Sequence, residues 1–214
     1  MRRSGVRRAV PGLVIAAMVS GGCFTTSVLS SPNALPEGAF AYTIGFTSIN
    51  EVDIGSTVMG FRYGLGEGLD VGAAIDMITA KVDVKYQFLR SEQHLLDGSV
   101  ELGMGWIAFG LPTYYAGVGL GIDVGSPDGG ISPYINYRWT GLSLIEAGDL
   151  AAEDEDGDFD FTGLDGWGQI TVGAELRLSR NFALIPEVSW IHELESSTGE
   201  KLLTYSVGIR ISKF

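Results

Sequence analysis

Three sets of residues in this chain are of types that do chemistry. "EDEDGDFD", residues 153–160, alternates Asp154, Asp156, Asp158 and Asp160. Oxygen ligands at that spacing suit Ca²⁺. An EF-hand loop opening at Asp154 would need glycine at 159 and glutamate at 165, and the chain has Phe159 and Asp165. The run therefore reads as a solvated acidic loop. His192 stands close in sequence to Glu193, Glu195, Ser196 and Ser197, and a base within reach of a hydroxyl is the minimum for nucleophilic catalysis. The simpler reading is a charged strand end. His94 falls in a turn and reads as polar loop. The third set is Glu101, Asp123, Arg138, Glu175, Arg177, Glu187 and Arg210, spread through otherwise apolar and glycine-rich segments. Ions of both signs placed in that way either pair into a closing network or line a pore and set its selectivity. After residue 22 there is no GxGxxG loop, P-loop, CxxC pair or HExxH, so no cofactor or metal is expected.

The segments that must position these residues share one pattern. In "TVGAELRLS", residues 171–179, Val172, Ala174, Leu176 and Leu178 alternate with Thr171, Gly173, Glu175 and Arg177. A period of two puts an oily row on one face of a strand and a polar row on the other. About ten such segments run to the end of the chain: 39–49, 52–63, 68–77, 80–90, 98–110, 113–124, 131–140, 166–179, 182–194 and 202–213. Most are long enough for a tilted strand to cross a bilayer. None shows a convincing helical period.

The polar rows are unusual. Residues 114–124 carry Tyr115, Gly117, Gly119, Gly121 and Asp123 on one side, and 81–88 carry Lys81, Asp83, Lys85 and Gln87. Glycine makes room and ions of both signs can pair, which suits a narrow lumen. A lipocalin-like barrel or a β-sandwich also alternates, with its apolar row inside, but its solvated face would more often carry Lys, Glu and Thr. Uniformly long strands, aromatic residues near segment ends (Tyr63, Phe88, Trp139, Trp190) and glycine-rich polar rows favour a membrane-facing apolar row.

Composition agrees. Of 214 residues, 45% are hydrophobic and 19% charged, with 31 glycines and one cysteine. The chain is apolar for a soluble domain, yet no run of 18 apolar residues follows residue 22, so no ordinary membrane helix is expected. A transmembrane β-barrel resolves the conflict, because its short alternating strands hide their hydrophobicity from a helix-sized window. The connections after the second, sixth and eighth segments, "GLGEG", "GSPDGG" and "SRN", are rich in turn residues, while 141–166 makes the longest loop. With both termini in the periplasm, the even-numbered turns are periplasmic and the acidic loop extracellular.

The N-terminus has the layout of an export signal: four arginines in "MRRSGVRR", the apolar "AVPGLVIAAMV", then "SGGC". It resembles a bacterial lipoprotein signal, which implies cleavage before Cys23 and a lipid on that cysteine. Gly21, Gly22 and Cys23 match the pattern, whereas Ser20 replaces its usual aliphatic residue. Phe24 follows the cysteine, so the aspartate that usually retains such lipoproteins at the inner membrane is missing. The implied organisation is a signal at 1–22, a lipid-anchored linker at 23–38 and a barrel at 39–214. Losing 1–22 removes four of the 14 basic residues, leaving 10 against 26 acidic ones and a net charge of −16. A nucleic-acid partner is not expected of such a surface.

"FRYGLGEGLDVGAAIDM" and "LRLSRNFALIPEVSWI" resemble hairpins of small Gram-negative outer-membrane β-barrel proteins, and "TYSVGIRISKF" resembles their last strand. That resemblance implies a place in the bacterial outer membrane, contact with its lipids, and recognition of the final aromatic residue by the barrel-assembly machinery. Phe214 departs from the usual register, falling on the face of Arg210 and Ser212. "HELESS" lacks the His-x-Ser-Asn arrangement of the barrel lipid A deacylases. The expected fold is a single all-β, antiparallel transmembrane barrel of about ten strands; eight or twelve would need one hairpin merged or split. The expected role is structural or that of a narrow, porin-like channel, without enzymatic activity. Two alternatives remain: a barrel enzyme acting on lipid at the outer rim, and a soluble periplasmic β-barrel held by its lipid.

Overall fold

A computed structural model of the chain describes residues 29–49, 52–76, 79–90, 96–107, 111–126, 129–142, 166–193 and 201–213. Nearly all of them are strand: β1 (Phe40–Ile49), β2 (Val52–Gly66), β3 (Leu69–Ile75), β4 (Thr79–Leu89), β5 (Leu96–Ile107), β6 (Leu111–Ile122), β7 (Val124–Ser126), β8 (Gly129–Leu142), β9 (Gly166–Ser179), β10 (Phe182–Glu193) and β11 (Lys201–Lys213). Each pairs antiparallel with its neighbours, and β1 pairs with β11 from Phe40 opposite Lys213 to Ile49 opposite Thr204. β6 and β7 are one stave interrupted at Asp123, and both pair with β8. The ring therefore closes with ten staves. Closure gives every stave a neighbour on each side, the condition for a sheet in hydrocarbon.

The alternation read from the sequence sorts as two solvents require. Facing out are Tyr42, Ile44 and Phe46 on β1, Val82, Val84, Tyr86 and Phe88 on β4, and Tyr205, Val207, Ile209 and Ile211 on β11. Leu102, in the middle of β5, is 64% exposed. Facing in are Thr47, Asp70, Asp83, Glu101, Thr171, Glu175, Ser189 and Thr204, all buried. A soluble barrel inverts this order. Tyr63, Phe88 and Trp190 lie on the outward face. Phe40, Tyr42 and Phe61 pack edge-to-face or tilted, with centroids 5.4–6.3 Å apart, on the outer surface near the end where β1 begins.

That end also carries the tight hairpins. Glu67 and Gly68 both take positive φ (53° and 83°), as a primed two-residue turn between β2 and β3 requires. Arg180 and Asn181 turn β9 into β10. Several strand bounds differ from the sequence reading. β2 runs through Gly66, so only two residues of "GLGEG" form the turn. β5 begins at Leu96, two residues before the segment read as 98–110. The sixth segment is broken at Asp123.

Residues 29–38, which the sequence offers only as linker, do not lie outside the barrel. Gly38 N–H donates to the Gly64 carbonyl (3.0 Å) at the turn end. From there the chain, followed toward Leu29, climbs inside the lumen. Leu29 reaches mid-height, packed on Val58, Tyr134 and Ile185 and over Gly45 and Gly208.

Candidate functional site

Among the described residues, the ionic side chains converge in the lumen, and strand register decides how they meet. Neighbours across strands form rows around the wall. One row reads Arg62, Gly72, Asp83, Gly103, Tyr115; another contains Glu101, Gly117, Arg138; a third contains Asp97, Gly121, Tyr134, Gly173, Glu187. In each, polar residues stand two strands apart with glycine between them. The interactions reach over that glycine. Arg62 Nη2 lies 2.6 Å from Asp83 Oδ1 above Gly72. Tyr115 Oη donates to Asp83 Oδ2 (3.1 Å) above Gly103. Arg138 Nη2 donates to Glu101 Oε1 (2.9 Å) above Gly117. Tyr134 Oη donates to Glu187 Oε1 (2.6 Å) above Gly173. A Cβ on Gly72 would sit 2.8 Å from both Arg62 Nη1 and Asp83 Oδ1, and one on Gly173 2.7 Å from the Tyr134 ring and hydroxyl. Glycine is needed there because a side chain would occupy the path of the bond.

These chords link into two networks. On β2 to β6 and β8, Arg62 bridges Asp70 (2.5 Å) and Asp83, Lys85 Nζ lies 3.5 Å from Asp70, and the Arg138 guanidinium sits 4.7 Å over the Tyr115 ring. On β8 to β11, with Asp123 between β6 and β7, Arg177 pairs with Asp123, which also accepts from Ser132 Oγ (2.8 Å), and Arg210 pairs with Glu175 through both guanidinium nitrogens. Charges so buried need paired, hydrogen-bonded partners to tolerate the low dielectric. Hydroxyls pair beside them: Thr171 with Ser189 (2.7 Å), and Thr47 of β1 with Ser206 (2.9 Å).

All seven ionic residues singled out from the sequence thus point into the lumen, and each has a partner there: Glu101 with Arg138, Asp123 with Arg177, Glu175 with Arg210, and Glu187 with Tyr134. Arg62 and Asp70 were missed, and Lys81, Asp83 and Lys85 were placed on a polar row but not among the candidates. The signal for Asp70 was present: with Gly72 and Ala74 it forms the inward row of β3. Tyr115 and Tyr134 were missed as partners because their roles depend on register. His192 lies on the outward face of β10, over Gly168 and beside Tyr137. Glu195, Ser196 and Ser197, the acidic run 153–160, His94, Cys23 and Phe214 lie outside the described residues.

The inserted segment completes the lumen. Lys85 Nζ donates to the carbonyls of Ser31 (3.0 Å) and Asn33 (2.9 Å) and to Ser30 Oγ (3.3 Å). Asn136 Nδ2 donates to the Ser30 carbonyl (3.1 Å). The N–H of Ala34 donates to Gln87 Oε1 (3.0 Å), and that of Leu35 to Asp70 Oδ2 (3.1 Å). Pro32 rests on Gly119 and Gly121 of β6, where a Cβ would come 3.3 and 3.2 Å from its ring. Cavities of about 30 and 20 Å³ lie beside the segment. Each has room for about one water molecule. At the turn end a wider vestibule of about 320 Å³ opens between Asn33, Pro36, Glu67, Arg90 and Asp97.

No protein-family model matches the chain, and no curated protein matches it. Solved structures do. The NanC porin is 11% identical with a TM-score of 0.50, over 82% of this chain and 100% of that one. The N-terminal β-barrel domain of Pseudomonas aeruginosa OprF is 10% identical, TM-score 0.39, over 84% and 100%. A designed transmembrane β-barrel is 16% identical, TM-score 0.39, over 85% and 99%. At these identities the likeness is one of fold, and of these three only the NanC likeness is strong enough to argue from. The closed antiparallel ring, its apolar outer face and that likeness together make this chain a ten-stranded transmembrane β-barrel.

Proposed function

We propose that the protein resides in the bacterial outer membrane as a barrel with a sealed lumen, serving the envelope structurally rather than as a standing pore. The observation that carries this reading is the filled lumen: glycine-spanning chords close the wall, and residues 29–38 occupy the space they leave, with cavities of about 30 and 20 Å³ beside them. An ion crossing such a barrel would have to displace the segment. Outer-membrane lipids are its surroundings, and the barrel-assembly machinery is its partner during insertion.

The experiment is conductance across a planar bilayer of the mature protein, with folding verified by heat-modifiable gel mobility. The expected result is insertion without discrete current steps. Steps from the unaltered protein would reject the sealed lumen. Cys23 carries the lipid in this reading. Labelled palmitate should enter the wild type and be lost in Cys23→Ser; a wild type that takes up none is not a lipoprotein.

A further inference from the structure

The manner in which residues 29–38 are held differs from the manner in which the wall is held. Five of the hydrogen bonds to the segment run between wall side chains and its backbone: to the carbonyls of Ser30, Ser31 and Asn33 and from the N–H groups of Ala34 and Leu35. Residues 29–36 belong to no strand. Its apolar anchorage is Leu29 in the apolar seat, Pro32 on two glycines and Leu35 against Ala39 and Ala41.

Three of the four wall side chains that hold it have partners of their own. Asp70 keeps Arg62 and Lys85 if the Leu35 N–H leaves. Gln87 keeps a bond to Asp97 (2.9 Å) if the Ala34 N–H leaves. Lys85 keeps Asp70. Withdrawal of the segment therefore strands no buried charge, the event that makes breaking a buried ion pair costly. Four of the chords, Arg62–Asp83, Tyr115–Asp83, Arg138–Glu101 and Tyr134–Glu187, each reach over the glycine of one intervening strand and so run along the wall. Residues 29–38 lie inward of them, bonded to Lys85 and Asn136 and packed through Leu29 on Val58, Tyr134 and Ile185.

We propose that the lumen is a binding site for an extended peptide backbone, that "LSSPNALPEG" (29–38) occupies it in cis as a detachable plug, and that the vacated barrel conducts. This rests on the membrane-barrel reading above. Elements held by few apolar contacts and no strand ladder are those that open locally below global unfolding.

The first test uses the full mature chain carrying Leu29→Asp and Ala34→Pro, which removes the Leu29 anchor and one N–H donor and leaves the wall untouched. Discrete conductance steps are expected from this variant, and synthetic peptide 29–38 added to the bath should abolish them. A heat-modifiable, folded variant that stays silent overturns the proposal, while a conducting wild type would instead reject the sealed-lumen reading. Steps that the peptide does not abolish overturn the binding site. A second test needs no destabilising change. Ser31 Oγ is buried and has no hydrogen-bond partner among the described residues, so Ser31→Cys in a Cys23→Ser background alters little. A detachable plug lets the thiol introduced at position 31 react with a water-soluble reagent much faster than the barrel unfolds. Reaction only upon unfolding means the segment does not detach, and the proposal fails.

Discussion

The two networks in the lumen solve the same problem differently. On the β8–β11 side, Arg177 with Asp123, Arg210 with Glu175 and Tyr134 with Glu187 are pairs made between wall side chains alone. On the β2–β6 side, Lys85, Asp70 and Gln87, joined by Asn136 of β8, turn part of their bonding toward a strip of backbone that belongs to no strand, residues 30–35. The first wall stores its polar energy in strand-to-strand chords that only unfolding breaks. The second shares it with a segment that can leave. A barrel can thus be rigid on one side and a receptor on the other with the same residue types.

The largest effect should come from breaking the self-contained wall. Glu175 is 2% exposed, and its loss takes from the largely covered Arg210 its two-point partner. Glu175→Ala should lower the unfolding free energy in detergent micelles by about 3–5 kcal/mol, and Glu175→Leu with Arg210→Met should recover most of it. A single-variant loss within error of zero would make the pair ornamental. A smaller loss should follow from filling a chord. Gly173→Val drives a side chain between Tyr134 and Glu187, and overpacking of that kind costs about 1–3 kcal/mol; denaturant midpoints compare it with the parent. The smallest effect on barrel stability should come from Lys85→Met, because Asp70 retains Arg62. Its signature is faster labelling of the position-31 thiol in the Ser31→Cys, Cys23→Ser protein. Unchanged labelling with a large stability loss would erase the distinction between the two walls.

Much of this barrel was legible in its sequence. The bounds of β9, 166–179, coincide with the alternating run, and the inward row of Glu175 and Arg177 follows from a period of two. The pairing of those residues was not legible. Whether Glu101 meets Arg138 depends on Gly117 standing between them in register, and register is a property of three strands at once. The break at Asp123 was hidden for a similar reason: its carboxylate is engaged by Ser132 and Arg177, from strands later in the chain. Residues 29–38 were the least legible. Two prolines and no alternation read as linker, because the wall side chains that order them lie 35 to 106 positions away in sequence. The outward face, by contrast, needed no partner information, since lipid accepts any apolar residue.

The most direct test of the filled lumen is amide hydrogen exchange of Ala34 and Leu35 in the folded wild-type protein in lipid vesicles. Both N–H groups are bonded to wall side chains, Gln87 and Asp70. Exchange well slower than in an unstructured peptide, though faster than in the strands, is the predicted result. Exchange at the unstructured rate would place the segment outside the lumen and contradict the account.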